Sequence, residues 1–249
     1  MPTEPMSLLL ILLSLCSIGF AKGGLAGLGI LGMPLMAMVF PPVEAAAILL
    51  PVLIAQDAFS VWLYRDSWDK AIVAWMLPGA LVGIAAAAIF AASVSPSAIL
   101  ALLGMISMAF GLWRLWMAYH AVAISQPSTR QWPGIIFGFF CGFTSQIGHA
   151  GAPPLQMWLI PKRLPHRVFV GTGAVLFAAI NWAKVPAFVA LGAFSRDSLL
   201  LAALFIPVAT LATLAGARLV NRMNGPRFYV FANIMLVAIG AKLVWDALS

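Results

Sequence analysis

Charge is scarce in this sequence. Asp, Glu, Lys and Arg make up 8% of its 249 residues, against about 25% in soluble domains, so a water-facing exterior cannot be assembled from them. Cysteine is scarcer still. Cys16 and Cys141 are the only two, each inside an apolar run and without motif spacing, which excludes a disulfide framework; both read as small buried hydrophobes. Strand-like alternation is missing, which argues against a β-barrel. No nucleotide-binding loop, ATPase motif or metal-ligand cluster occurs, so no cofactor or metal is expected, and any transport runs on a gradient or passively. The 14 Lys and Arg outnumber the 7 Asp and Glu, yet they are scattered between apolar runs and form no basic stripe, so nucleic acid is not an expected partner.

What is abundant is apolar sequence, 63% of the chain, with a mean hydropathy of +1.03. Long apolar runs in lipid must satisfy their own backbone, and helices do so. The expected fold is an all-α integral membrane protein with membrane lipid around it. Six segments have the length of a spanning helix, 43–64, 71–92, 97–119, 167–191, 197–220 and 226–248, each about 20 apolar residues or more. They end at Pro, Gly or charge clusters such as Arg65 to Lys70 and Asn221 to Arg227. Trp62, Tyr64, Trp68, Trp113, Trp116 and Trp132 gather near segment ends, as an interfacial aromatic belt would. The first apolar run, Met6 to Phe20, is preceded by Glu4 and by no Lys or Arg, and Leu15 before Cys16 makes a poor lipoprotein site. This run is expected to belong to the fold rather than to a signal peptide.

Stretches 6–40 and 132–160 are too long for one crossing: 35 residues would rise about 52 Å against a core of about 30 Å. Each is broken by glycines and ended by proline, giving either two thin crossings or one re-entrant hairpin. The two are also copies. At an offset of 119, Gly19, Phe20, Gly23, Gly29, Gly32, Pro34, Met38 and Pro42 match Gly138, Phe139, Gly142, Gly148, Gly151, Pro153, Met157 and Pro161. Further on the offset grows, pairing Pro78 with Pro207 and Pro96 with Pro226. The chain therefore reads as two repeats, 1–125 and 126–249, each a glycine-broken helix pair plus three spanning helices, together forming one transport unit. With the broken stretches counted as pairs, Arg65, Lys70, Arg130, Lys162, Arg163, Arg167, Arg222 and Arg227 fall on one side. Arg196 is the only loop cation on the other, which carries both termini. The positive-inside rule puts the termini outside the cytoplasm, and the odd number of crossings inverts the second copy, a hallmark of secondary transporters.

A binding site is expected at the breaks. Glycines permit positive φ and close backbone approach, and half-helix N-termini favour anions. That makes Gly23, Gly24, Gly29, Gly32, Gly142, Gly148 and Gly151 candidates, although small residues also serve plain helix packing. The second break adds Thr144, Ser145, Gln146 and His149. Buried ionisable residues are functional suspects: Asp57 with Gln56, and Lys22 beside the first break, as a coupling or structural ion pair, and Lys184 with Asn181 one turn earlier. An Asp57–Lys184 ion pair spans about 9 Å of depth, reachable only with tilt; the alternative for Lys184 is snorkelling outward, as expected for Lys242. Ser145 and His149 suggest a hydrolase only weakly, because no G-x-S-x-G elbow is present. No catalytic residue is expected.

These residues resemble the sulfite exporter TauE/SafE family along essentially the whole chain. The landmarks are the duplicated glycine-rich break, Gln56-Asp57 to Tyr64-Arg65 and Trp68, and Leu77-Pro78-Gly79. In the second half they are His166 to Gly173, which includes Thr172, and Asn181-Trp182-Ala183-Lys184-Val185-Pro186 followed by Gly192. The resemblance implies movement of a small oxyanion, sulfite or a sulfonate, across a bacterial inner membrane, commonly outward, and brings Thr172 into the candidate substrate-binding set. The family's breaks are often richer in adjacent glycines, whereas Ile30 and His149 stand here at equivalent positions. His149 is accordingly the candidate for proton coupling or anion contact; the alternative is a neutral His bonded to a backbone carbonyl. A passive anion channel, or a membrane scaffold or sensor without flux, are the competing functions, and a homo-oligomer is left open.

Overall fold

The computed structural model describes residues 4–25, 27–120, 130–219 and 226–248, the last without the side chains of 226–229. Asn221, Arg222, the side chain of Arg227 and the repeat boundary at 125/126 lie outside the described residues. The helices are α1 (Pro5–Lys22), α2 (Gly32–Ala37, entered through the 3-10 turn Leu28–Leu31), α3 (Pro42–Tyr64), α4 (Lys70–Ala92) and α5 (Pro96–His120). They continue with α6 (Gly134–Gly148), α7 (Ala152–Leu159), α8 (His166–Ala190), α9 (Arg196–Leu219) and α10 (Pro226–Leu248). No strand occurs among the described residues. All six predicted spans are found, each end within one residue of the expected one. The first arm of stretch 6–40 is itself an 18-residue apolar helix, so among the described residues seven helices are long and apolar enough to cross a membrane.

Both broken stretches fold back as hairpins. In the first, Ser14 Oγ donates to the Gly32 carbonyl at 2.7 Å, and a side chain at Gly29 would collide with Ala21. In the second, Cys141 Sγ reaches the Gly151 carbonyl at 3.2 Å and Thr144 Oγ1 the Ala150 carbonyl at 2.8 Å. In each, the contacts pair residues ever closer in sequence towards the break, as antiparallel arms must. The hydroxyls and the thiol thus find acceptors across the hairpin, as polar groups in lipid must.

Small residues bring the helices together. Gly19 and Gly23 of α1 press against Ala209 to Ala217 of α9, while Gly138 and Gly142 of α6 press against Met76 and Ala80 of α4. At both helix pairs the absence of a side chain lets backbone meet backbone, and dispersion contacts gain. The centre is α3 crossing α8, with Tyr64 near Gly171 at one end and Asp57 bonded to Asn181 deeper in. The two helices run antiparallel, since residue numbers rise on one as they fall on the other. Helices α5 and α10 also cross antiparallel, Gly104 against Gly240 and Gly111 against Asn233 and Val237.

The outer faces are apolar and bare: Ile89, Leu211 and Val82 are each more than 60% exposed, a surface suited to acyl chains and unsuited to water. Trp62, Trp116 and Trp132 are exposed near helix ends, where a belt belongs. Tyr64 departs from that expectation. It is buried, and its hydroxyl donates to the Gly23 carbonyl at 2.8 Å, because the C-terminus of α1 supplies an acceptor that a lipid headgroup would otherwise provide.

Candidate functional site

A cavity of about 110 Å³ opens where the two breaks meet α1, α3 and α8. A water needs roughly 10–15 Å³ on this scale, so several waters or one small polyatomic anion would fit. Its polar lining is Lys22, Ser145, His149, Gln156 and Asn181; Met33, Leu53, Leu155, Phe169 and Phe177 form apolar walls. Gly27, Gly29 and Ala152, at the starts of the second arms, also line it.

Lys22 occupies the last turn of α1, where the exposed carbonyl ends favour a cation. Those carbonyls are tied to α3 by Ser60 Oγ, which donates to Lys22 O at 3.2 Å, and by Tyr64. The Lys22 ammonium forms a salt bridge with Asp57 and lies 5.2 Å from the centre of the Phe177 ring. The other Asp57 oxygen accepts from Asn181 Nδ2 at 2.6 Å. The expected Asp57–Lys184 pair is therefore replaced: Lys22 reaches the carboxylate from the end of its own helix, with no need for tilt.

Lys184 does not snorkel. It is fully buried, because it lies on the face of α8 that turns inward with Asn181 and Phe188, and its ammonium donates to Ser145 O and Ser145 Oγ, both at 3.2 Å, and to His149 Nδ1 at 2.7 Å. It stands behind Ser145 and His149 rather than at the cavity surface. Lys242, by contrast, is exposed and pairs with Asp246 one turn on.

His149 ends α6 in the left-handed region, φ 51°, a conformation His tolerates better than most residues but one that still costs about 1–3 kcal/mol. The turn is closed by Ala150 N–H bonding Thr144 O at 3.2 Å. The ring is clamped between Lys184 and the Ala46 carbonyl, which lies 2.9 Å from Nε2. A carbonyl only accepts, so Nε2 carries the hydrogen and Nδ1 is left to accept from Lys184. The imidazole is neutral in this arrangement. The site then holds two ammonium groups, Lys22 and Lys184, and one carboxylate, Asp57. Among the described residues no carboxylate forms a salt bridge with Lys184. A buried ion unmatched in charge costs several kcal/mol, so this is a place where an anion is favoured.

The remaining predicted residues lie elsewhere. Gly23, Gly142, Gly148, Gly151 and Gly32 are filled against neighbouring side chains or backbone, and Gly24 supplies a positive φ of 126° in the turn. Thr144 spends its hydroxyl within its own hairpin. Gln146 is buried with Oε1 unpartnered and does not line the cavity. Gln56 reaches α9, donating to Ala209 O at 3.0 Å. Thr172 ties α8 to α4: it donates to Val168 O at 2.6 Å and accepts from Asp69 N at 2.9 Å. Gln156 and Phe177 are cavity residues that sequence reasoning missed. Gln156 carried a signal, a lone amide inside the apolar helix Ala152–Leu159; Phe177 carried none among 16 phenylalanines.

Among the described residues, seven helices long and apolar enough to cross a membrane, with a small cavity between the two breaks, define a multi-pass membrane protein. The family model of the sulfite exporters TauE/SafE matches residues 10–243. The chain belongs to that family, whose members are membrane transporters of sulfite-type anions. No curated protein and no solved structure matches the chain.

Proposed function

We propose that the cavity binds a small oxyanion, sulfite, a sulfonate or a similar organosulfur anion, and that the chain carries it across the inner membrane, outward, by alternating access. The observation that carries this reading is Lys184, a fully buried ammonium without a carboxylate partner. Held by Ser145 and His149, it polarises both, so that a Ser145 hydroxyl and the positive potential behind it face the anion together with Lys22 and Asn181. The apolar walls exclude water and strengthen these attractions. Two inverted repeats supply the motion: equivalent helices α3 and α8, and α5 and α10, cross antiparallel, as an axis in the membrane plane requires, and one half rocks against the other around the cavity. Proton coupling is assigned to His149, whose protonation would set a second cation against Lys184 and loosen the second break.

The test is sulfite flux in proteoliposomes. Wild-type protein is expected to move sulfite faster under an imposed proton gradient. Lys184→Gln should lower flux at least tenfold, with helix content and monodispersity retained. Wild-type flux in Lys184→Gln sinks the site assignment, and absence of flux with the wild type sinks the transport reading.

A further inference from the structure

One carboxylate holds both of the strongest donors that line the cavity. Asp57 Oδ1 accepts from the Lys22 ammonium, which ends α1, and Asp57 Oδ2 from the Asn181 amide, which belongs to α8. Asp57 itself does not line the cavity, and its side chain is 2% exposed. The two donors are therefore turned from the space that they border towards a group behind it. A sulfite or sulfonate ion presents what a carboxylate presents, neighbouring oxygens that share negative charge and accept charge-assisted hydrogen bonds.

We propose that Asp57 is an internal stand-in for the transported anion: it occupies Lys22 and Asn181 in the empty carrier, and the arriving oxyanion displaces it from Lys22. The proposal rests on the oxyanion reading above. Three features fit a displaceable pair better than a fixed strut. Lys22 keeps 11% of its side chain exposed, and its ammonium already leans over Phe177, a cavity wall, so a small rotation of a flexible four-carbon stem brings it to the anion. Asp57 is not stranded when Lys22 leaves, because Asn181 stays bonded to it. Finally, Lys22 and Asp57 sit on different elements, α1 and α3, so parting them reports occupancy of the cavity to the first hairpin. Physically, a counter-ion lowers the cost of burying the Lys22 ammonium. Asp57 supplies it in the empty state, and the competition lowers apparent affinity enough for release on the far side.

Two measurements test this. The first is sulfite binding to purified protein by anaerobic calorimetry at fixed pH and ionic strength. Asp57→Asn keeps the shape and the Asn181 contact but frees Lys22, and should bind sulfite at least tenfold more tightly than wild type. Unchanged or weaker binding makes the pair merely structural and overturns the proposal. The second uses infrared difference spectroscopy on wild-type protein, which has only 7 Asp and Glu residues. Sulfite should shift a carboxylate stretch, and the shift should be absent from Asp57→Asn. An unmoved carboxylate region overturns displacement even if Asp57→Asn binds tightly, since Asp57 would then act as a fixed charge. If Asp57→Asn does not fold, the wild-type spectrum alone decides. Binding by neither protein overturns the oxyanion reading itself, and this proposal with it; binding by wild type with no gain in Asp57→Asn overturns this proposal alone.

Discussion

At the scale of single residues, the interior is organised by where each polar group finds its partner. Lys184 has three acceptors and no counter-charge, whereas Thr172 has both a donor and an acceptor role in a tie between helices. The family resemblance adds Thr172 to the candidate set that already holds Lys184, and their surroundings separate them. Thr172→Val should cost about 1–3 kcal/mol, the penalty of leaving Asp69 N–H and a packed hydroxyl site without a bond. Thermal unfolding in detergent checks the loss, and the sulfite Kd should stay within twofold of wild type. His149→Ala removes the acceptor for Lys184 and the tie to Ala46, while relieving little of the left-handed strain that any non-glycine residue feels. Flux should fall with sulfite at either pH 6 or pH 8, and its pH dependence should flatten; a retained pH profile would remove His149 from the coupling step.

At the scale of elements, the glycines divide into those that close a turn and those that let helices touch. A side chain at Gly142 would drive into the Ala80 carbonyl and its neighbours, and one at Gly83 into the Phe139 carbonyl. Backbone cannot yield as a side-chain tip can, so overpacking there costs about 1–3 kcal/mol or more. Gly192 has φ 62° and open space around it, so Ala there carries only the left-handed penalty of about 1–2 kcal/mol. Gly142→Ala should therefore lower the melting temperature more than Gly192→Ala. The reverse order would mean that α4 and α6 do not pack as described. The residue type is the same at both positions; only the neighbours decide which kind each is.

At the scale of the whole molecule, the proposed orientation follows from the loop cations. Ser67 lies in the loop between α3 and α4, beside Arg65 and Lys70, and Ser195 lies just before α9, beside Arg196. In a background with Cys16 and Cys141 replaced by Ala, a cysteine at Ser67 should be labelled by a membrane-impermeant maleimide only from the cytoplasmic side. One at Ser195 should be labelled only from outside. Labelling of both from the same side would overturn the inverted arrangement.

What the sequence determined by itself was everything written along a single helix axis. Low charge and long apolar runs dictated a membrane and helices; proline, glycine and charge clusters set the helix ends; the repeat at an offset of 119 marked the two breaks. Depth was legible too, since rise per residue is constant, and it set Asp57 and Lys184 about 9 Å apart along the membrane normal. Rotation was not. In a soluble helix the apolar stripe tells which face turns inward, but α3 and α4 are apolar on nearly every side, as lipid demands, and no face stands out. Whether Asp57 meets Lys184 or Lys22, whether Tyr64 meets lipid or the Gly23 carbonyl, and whether Gln156 reaches the cavity depend on how helices far apart in the chain turn towards one another. Only the tertiary structure decides that, because backbone contacts at Gly19, Gly23, Gly138 and Gly142 allow close approach at one rotation alone.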